Sequence, residues 1–439
     1  MTHAHPLEKL ISERIVIIDG ATGTTLRTYG MKEADIRGER FRDSKKDLLN
    51  NGDIFCLTQP AMMIDIHRRF LEAGADIIET NTFGATTITQ SEFFIDDPRE
   101  HGGRKDPEFY AKVIEDRFLQ DLAWEINVES ARQCREAADR VANATGRQRF
   151  VAGAIGPLTV SLSNSPDAED AGFRVATFDQ VKAAYVHEVR ALIAGGVDVL
   201  LVETIFDSLN AKAALVAIQE VFEKDQKRLP VMVSAAVGRG GETMISAQTV
   251  EALWNAVEHV KPLSIGLNCS LGPDVMYPFL SELSQKAGVA ISCYPNAGLP
   301  NPLSETGFDL GPPDMGRFLG QFADSGLVNI AGGCCGNTPE HIAAIATASS
   351  YLLSLISFAN FGEPATFVRS PIIMKTFSCC VNGSDPDSRS GFVAGSASAG
   401  ALRTGRGGRP SSAFAIAAMC SSVFPQQPPA MLTRPLSAN

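Results

Sequence analysis

Three cysteines carry the strongest chemical signal in the sequence. Cys334 and Cys335 stand side by side between glycines, and Cys269 follows Asn268 at the end of an apolar run. A disulfide between adjacent cysteines is strained, so the pair is not read as bonded to itself. Three thiolates aimed at one ion suit zinc: the ligands are soft, the geometry is tetrahedral, and a fourth position stays open for water or substrate. Three sulfurs donate much charge and leave a weaker Lewis acid than histidine-bound zinc, one whose natural fourth ligand is another sulfur. Coordination would hold a substrate thiol as thiolate at neutral pH, where a free thiol of pKa about 8.5 is mostly protonated. The expected chemistry is activation of a thiol for nucleophilic attack. Asp19 and Glu203 also end apolar runs. They could hold a substrate ammonium, so an amino-acid thiol would satisfy both halves of the site.

These residues must be brought together by the elements that carry them. Short runs rich in Val and Ile recur at 15–20, 75–83, 150–156, 197–204, 230–237, 263–270, 290–298 and 328–336. They are nearly continuous apolar runs, as expected of parallel strands buried on both faces. Helical patterns lie between them, among them a stretch with a Thr-x-x-Gln start at Thr177 and one opening Thr338-Pro339, both helix-start signals. Eight such alternations predict a (β/α)8 TIM-type barrel, with a doubly wound open sheet as the alternative. In a barrel the active site sits at the C-terminal ends of the strands. Asp19-Gly20, Glu79 to Thr82, Glu203-Thr204, Asn268-Cys269 and Cys334-Cys335 all fall there. Strands six and eight would flank a single strand, so their ends can converge. Neighbouring side chains on a strand point to opposite faces. For both adjacent cysteines to reach one ion the backbone must leave strand geometry, a freedom expected from Gly332, Gly333 and Gly336.

The remaining features are read plainly. The chain has 439 residues with 44% hydrophobic and 20% charged, ordinary for a globular protein, and a net charge of -11 that argues against nucleic acid and anionic membrane as partners. No apolar run has membrane length and the N-terminus shows no secretory h-region, so a cytoplasmic protein with reduced thiols is expected. Cys56, Cys134 and Cys293 are read as small hydrophobes, and His67, His187 and His259 as structural or surface residues. The polar stretch 96–110 reads as an excursion after the second strand. Residues 351–439 are Gly/Ser/Arg-rich and read as a low-complexity, disordered C-terminal tail, its Cys379-Cys380 pair non-functional.

The stretches "DGATGT" (19–24), "ETNTFGAT" (79–86), "LLVETIFDSLNAKAAL" (200–215), "PLSIGLNCSLGP" (262–273), "SCYPNAGLPN" (292–301) and "LVNIAGGCCGNTPEHI" (327–342) resemble the zinc homocysteine S-methyltransferases. "SCYPNAGLPN" and "FDSLNAKAAL" resemble most narrowly the homocysteine-binding module of cobalamin-dependent methionine synthase. "GPLTVSLSNSPD" (156–167) and "VSAAV" (233–237) depart from that pattern. The resemblance spans the barrel, residues 8–350. It implies that Cys269, Cys334 and Cys335 are the zinc ligands and catalytic residues. It implies also that homocysteine sulfur takes the fourth position, and that Asp19, Gly20, Glu203 and Asn268 form the substrate shell. The methyl donor it implies is methylcobalamin, presented by cobalamin- and folate-binding domains or a subunit outside this chain, with methionine as product. Betaine or S-methylmethionine as donor, and a non-catalytic zinc barrel serving as a scaffold, are the alternatives.

Overall fold

The computed structural model describes residues 5–357, Glu305 excepted. Eight parallel strands form the sheet: β1 Val16–Ile17, β2 Ile77–Glu79, β3 Phe150–Ile155, β4 Val199–Ile205, β5 Val231–Ala235, β6 Ser264–Asn268, β7 Ala290–Tyr294 and β8 Ile330–Ala331. Their order is β1-β8-β7-β6-β5-β4-β3-β2, and a parallel bridge between Ile18 and Ile77 joins the two ends. The result is the expected TIM-type barrel and excludes an open doubly wound sheet. All eight runs read from the sequence contain a strand. The strands are shorter than the runs, because the last residues of every run but the fourth leave the ladder to build the rim, whereas β4 continues to Ile205.

Alternation along the strands sorts the apolar residues into two layers. Val16, Ile18, Ile77, Phe150, Ala152, Val199, Leu201, Met232, Tyr294 and Ile330 form one buried cluster, the barrel interior. Ile17, Ile78, Val151, Leu200, Val202 and Val233 belong to a second, larger cluster shared with the surrounding helices. Leu7 and Ile11 of the N-terminal helix Pro6–Glu13 join the interior cluster. That helix therefore closes the N-terminal end of the barrel with apolar side chains. The helix Phe178–Gly195 opens with the expected capping box, Thr177 with Gln180. The last described helix, Pro339–Ser357, begins at the proline read as its first residue. The tail assignment from 358 onward, with the Cys379-Cys380 pair, lies outside the described residues. Among the described residues no helix is long and apolar enough to cross a membrane.

The 96–110 excursion packs back onto the barrel. It contains the short 3-10 helix Pro98–His101 and leads into the helix Pro107–Glu115. Lys105 is buried between Glu92 (2.6 Å) and Asp97 (3.5 Å). Arg104 lies 3.9 Å from the ring centre of Phe173, in the loop after β3.

One charge cluster holds the seam where β1 meets β2. Asp76 receives both Arg14 Nη1 (2.6 Å) and Nη2 (2.7 Å), the Ile17 amide (3.0 Å) and Arg149 Nη1 (3.1 Å). Asp76 and Arg149 are both buried. Removing one member of a buried pair strands the other charge, a loss of about 3–5 kcal/mol. Asp76→Ala is accordingly expected to lower unfolding free energy by about that amount, read from urea denaturation. A loss under about 1 kcal/mol, the ordinary value of an exposed pair, would show that the cluster does not hold the seam.

Candidate active site

The three cysteines converge as their spacing predicted. β6 ends at Asn268, and Cys269 (φ +56°) and Ser270 (φ +54°) then turn the chain through the left-handed region. Ser270 Oγ donates to Val237 O at 2.6 Å and anchors that turn. β8 ends at Ala331, so the backbone has left the strand before either neighbouring cysteine. Cys334 N donates to Pro295 O (2.9 Å), Ala297 N to Cys335 O (2.9 Å), and Gly336 N to Thr24 Oγ1 (2.8 Å). The Asn337 side-chain amide bonds both Pro295 O (3.0 Å) and Cys334 O (3.1 Å). The three Sγ atoms lie within 4.8 Å of one another, Cys269 and Cys335 at 3.8 Å. Tetrahedral zinc with Zn–S of about 2.3 Å places its sulfurs about 3.8 Å apart. The donor set and its spacing fit that ion. Hydrogen bonding to Cys269 and Cys335, with burial after it, pushes the Cys334 thiol well above its usual range. A cation would reverse that direction.

The glycine loop works differently from the sequence expectation. Gly336 alone of the three has a left-handed φ, +84°. Gly332 and Gly333 serve close approach instead. A Cβ on Gly332 would stand 2.5 Å from Ile18 O, and one on Gly333 would stand 2.3 Å from Asn337 Cγ. Gly20 is confined in the same way, with Phe70 Cε1 at 2.9 Å and Asn337 O at 3.0 Å from a would-be Cβ.

Beside the thiols lies a pocket of about 100 Å³ whose lining includes Glu79, Glu203, Asp53, Cys334 and Cys335 and contains no Lys, Arg or His. Asp19, only 2% exposed, accepts the Glu79 amide on Oδ2 at 3.1 Å, while its Oδ1 is buried without a partner. Burial, followed by the charge of Glu79, raises the Asp19 pKa well above the usual range. Burial, then Glu79, Cys269 and Asp19, does the same to Glu203. Burial lifts Glu79 to about 7. Glu79 was noted at a strand end but not counted among the candidate site residues. The signal available was its position, the last residue of β2 on the face of Ile77, which points into the barrel.

Asn268 is wholly buried and its amide is already engaged. Its Oδ1 accepts the Thr204 amide (3.1 Å) and the Ser234 hydroxyl, and its Nδ2 donates to Thr204 Oγ1 (2.8 Å). Thr204 is a β-branched residue at φ +54°, and the β4–β5 register shifts between Val202 and Ile205. Such a residue persists in that region only where its surroundings hold it. The geometry makes Asn268 a clamp on the backbone next to Glu203. His67, by contrast, is sealed in the core against Cys134 Sγ at 3.3 Å, and burial lowers it to about 4. His187 bonds Gln120 O at 2.9 Å. Neither reaches the site.

Two outcomes follow from these contacts. Asn268→Ala leaves the Thr204 amide and the Ser234 hydroxyl without their acceptor and should lower stability by about 1–3 kcal/mol, measured by denaturation; an unchanged midpoint would refute the clamp. Glu79 holds its proton more tightly folded (about 7) than at its ordinary 4.5. Its contribution to stability is therefore full below 4.5 and is lost as pH rises through 7. In metal-free protein, Glu79→Gln should gain stability relative to wild type between pH 5 and pH 8, on the order of 1–2 kcal/mol because the group borders an open pocket. A pH-independent difference would rule this out.

A profile of the homocysteine S-methyltransferases matches residues 16–349. The fold is similar to that of homocysteine methyltransferase MmuM from Escherichia coli. The metallated form aligns with TM-score 0.56 and 19% identity, covering 79% of this chain and 100% of that one. The oxidized form aligns with TM-score 0.55 and 18% identity at the same coverage. The apo form gives 0.54 and 18%, covering 79% and 99%. At this identity the structural likeness speaks for the fold, and the family profile, spanning three-quarters of the chain, speaks for the chemistry: this chain belongs to the homocysteine S-methyltransferase family and is a methyltransferase acting on homocysteine.

Proposed function

We propose that residues 8–350 form a homocysteine-activating module in which Cys269, Cys334 and Cys335 hold one zinc ion, and that the methyl group comes from methylcobalamin presented by a partner domain or protein. The observation that carries the reading is the set of three Sγ atoms within 4.8 Å of one another at the edge of a pocket lined by carboxylates and no cationic side chain. Such a pocket lacks a positive charge on both sides, and an ion on the thiols with an ammonium on the carboxylates supplies both. The zinc, when bound, supplies a soft Lewis acid that makes a thiol nucleophilic near neutral pH. The chain does the rest. Asp19 and Glu203 offer acceptors for the amino-acid end of homocysteine, with Gly20 beside Asp19 packed against Phe70 and Asn337, and Asn268 holds the strand end that carries Glu203. The homocysteine sulfur forms a bond to the methyl carbon as the donor's bond to that carbon breaks, the electron pair leaving with the donor and the thiol proton lost. Methionine is the product. The choice of donor rests on the stretches 206–215 and 292–301, which resemble the methionine synthase branch.

Elemental analysis of purified protein should find a single zinc in wild type and none retained in Cys269→Ser. X-ray absorption should show one more sulfur around it when homocysteine is added. A metal-free wild type, or a sulfur shell indifferent to homocysteine, would favour the scaffold reading. Cys334→Ala should lose tight zinc binding while keeping its circular dichroism spectrum, because the thiols sit on a rim outside both apolar clusters' interiors. Offering methylcobalamin, betaine and S-methylmethionine in turn decides the donor. Methionine formed from betaine or S-methylmethionine but not from methylcobalamin would replace the donor proposed.

A further inference from the structure

We infer that Glu79 is a direct ligand of the substrate's α-ammonium group, completing with Asp19 and Glu203 a carboxylate cage that selects a primary ammonium. This rests on the homocysteine reading and adds to it a residue and a rule of selection.

Glu79 ends β2 on the face that Ile77 turns to the barrel interior, and its side chain lines the pocket together with Glu203 and Cys334. Asp19 is sealed, so Glu79 and Glu203 are the members of the trio that face the open space. The trio is close-knit. Asp19 holds the Glu79 backbone amide at 3.1 Å, and Glu79 is the foremost charged neighbour of both Asp19 and Glu203. Among the described residues the Glu79 carboxylate, partly exposed at the pocket wall, shows no hydrogen bond or ion pair, and Asp19 Oδ1 is buried without a partner. Buried carboxylates without a partner are costly unless a cation completes them.

A primary ammonium has three N–H donors on one atom. Glu79 and Glu203 on the pocket wall, with the unpartnered Asp19 Oδ1 buried behind them, offer acceptors to match that count. A quaternary ammonium carries the same charge and no donor, so it would leave acceptors unmet. The cage therefore distinguishes the two by hydrogen bonding, which discriminates far better than an apolar wall does. The same reasoning separates an amino-acid thiol from a simple thiol of equal length. The sulfur end is common to both, and only the former fills the cage.

The test compares homocysteine with 4-sulfanylbutanoate, which lacks the amino group, by calorimetry on zinc-loaded wild type and Glu79→Gln, with zinc content checked in both. Wild type should prefer homocysteine by on the order of 10- to 100-fold, the usual worth of a hydrogen bond to a charged group. Glu79→Gln should lose most of that preference by weakening homocysteine alone, and in turnover its KM should rise more than its kcat falls. Glu79→Asp keeps the charge one methylene further back and should recover part of the preference. A Glu79→Gln protein that retains the wild-type preference, or a wild type with none, overturns the assignment while leaving homocysteine as substrate. Wild type that binds neither thiol overturns the homocysteine reading together with it.

Discussion

The mouth of this barrel concentrates negative potential in a place that water reaches poorly. Asp19, Glu79 and Glu203 stand beside three thiols, and the pocket between them is lined by no Lys, Arg or His. Charged groups removed from water must be paired, neutralised or ligated. Here burial is the chief cause that raises the pKa of all three carboxyl groups. Without its ligands the site is thus held in a costly state, and most of its features can be understood as the means of holding it there. Whatever completes the site with positive charge binds the folded state alone, and stabilises it by mass action.

Holding such a site takes rigidity, and the backbone shows where it is applied. Thr204, Cys269 and Ser270 are non-glycine residues at φ between 54° and 56°, all just past or at strand ends of the rim. Each such residue carries a strain of about 1–3 kcal/mol that neighbouring contacts must offset. Asn268 supplies three of those contacts to Thr204 and Ser234, and Ser270 ties its own turn to Val237. The loop after β8 is fastened to β1, to the loop after β7 and to Thr24. Two pairs of strand ends, β4 with β6 and β7 with β8, are thereby locked to each other. The thiols and the carboxylates consequently keep fixed positions with respect to one another, the preorganisation that catalysis on a small substrate requires.

Much of this was legible in the sequence because it follows from period and type. Continuous apolar runs located all eight strands, five of them ending in polar residues, and the barrel then brought Cys269 to Cys334 and Cys335 from 65 residues away by sequence number. What was not legible depends on packing between distant segments. Gly332 and Gly333 read as sources of freedom, yet they are small because Ile18 and Asn337 press against them. The family resemblance placed Asn268 in the substrate shell, and the sequence could not show that its amide bonds Thr204 and Ser234, partners 64 and 34 residues away. Glu79 is visible at a strand end in the sequence, but a carboxylate there is common, and only its sharing a face of β2 with Ile77 and the proximity of Asp19 reveal that it faces the pocket.

The two ends of the barrel divide the tasks of stability and chemistry, and the division explains why the rim can tolerate strain. At the N-terminal end Leu7 and Ile11 plug the interior, and Asp76 satisfies Arg14, Arg149 and the Ile17 amide at once. Charges there are paired within the protein itself. At the C-terminal end Asp19, Glu79 and Glu203 have no ion-pair partner among the described residues. Both ends bury carboxylates, so burial by itself does not mark a functional group, and neither does a missing partner, since both Glu188 carboxylate oxygens are buried without one outside the site. Asp76 and Asp19 sit only a few residues from either end of the adjoining strands β1 and β2, with similar exposure. One is complete in the folded chain, and the other keeps an oxygen unmet. Asp76 is spent on holding the fold, while Asp19 keeps an acceptor at the mouth of the barrel beside the thiols.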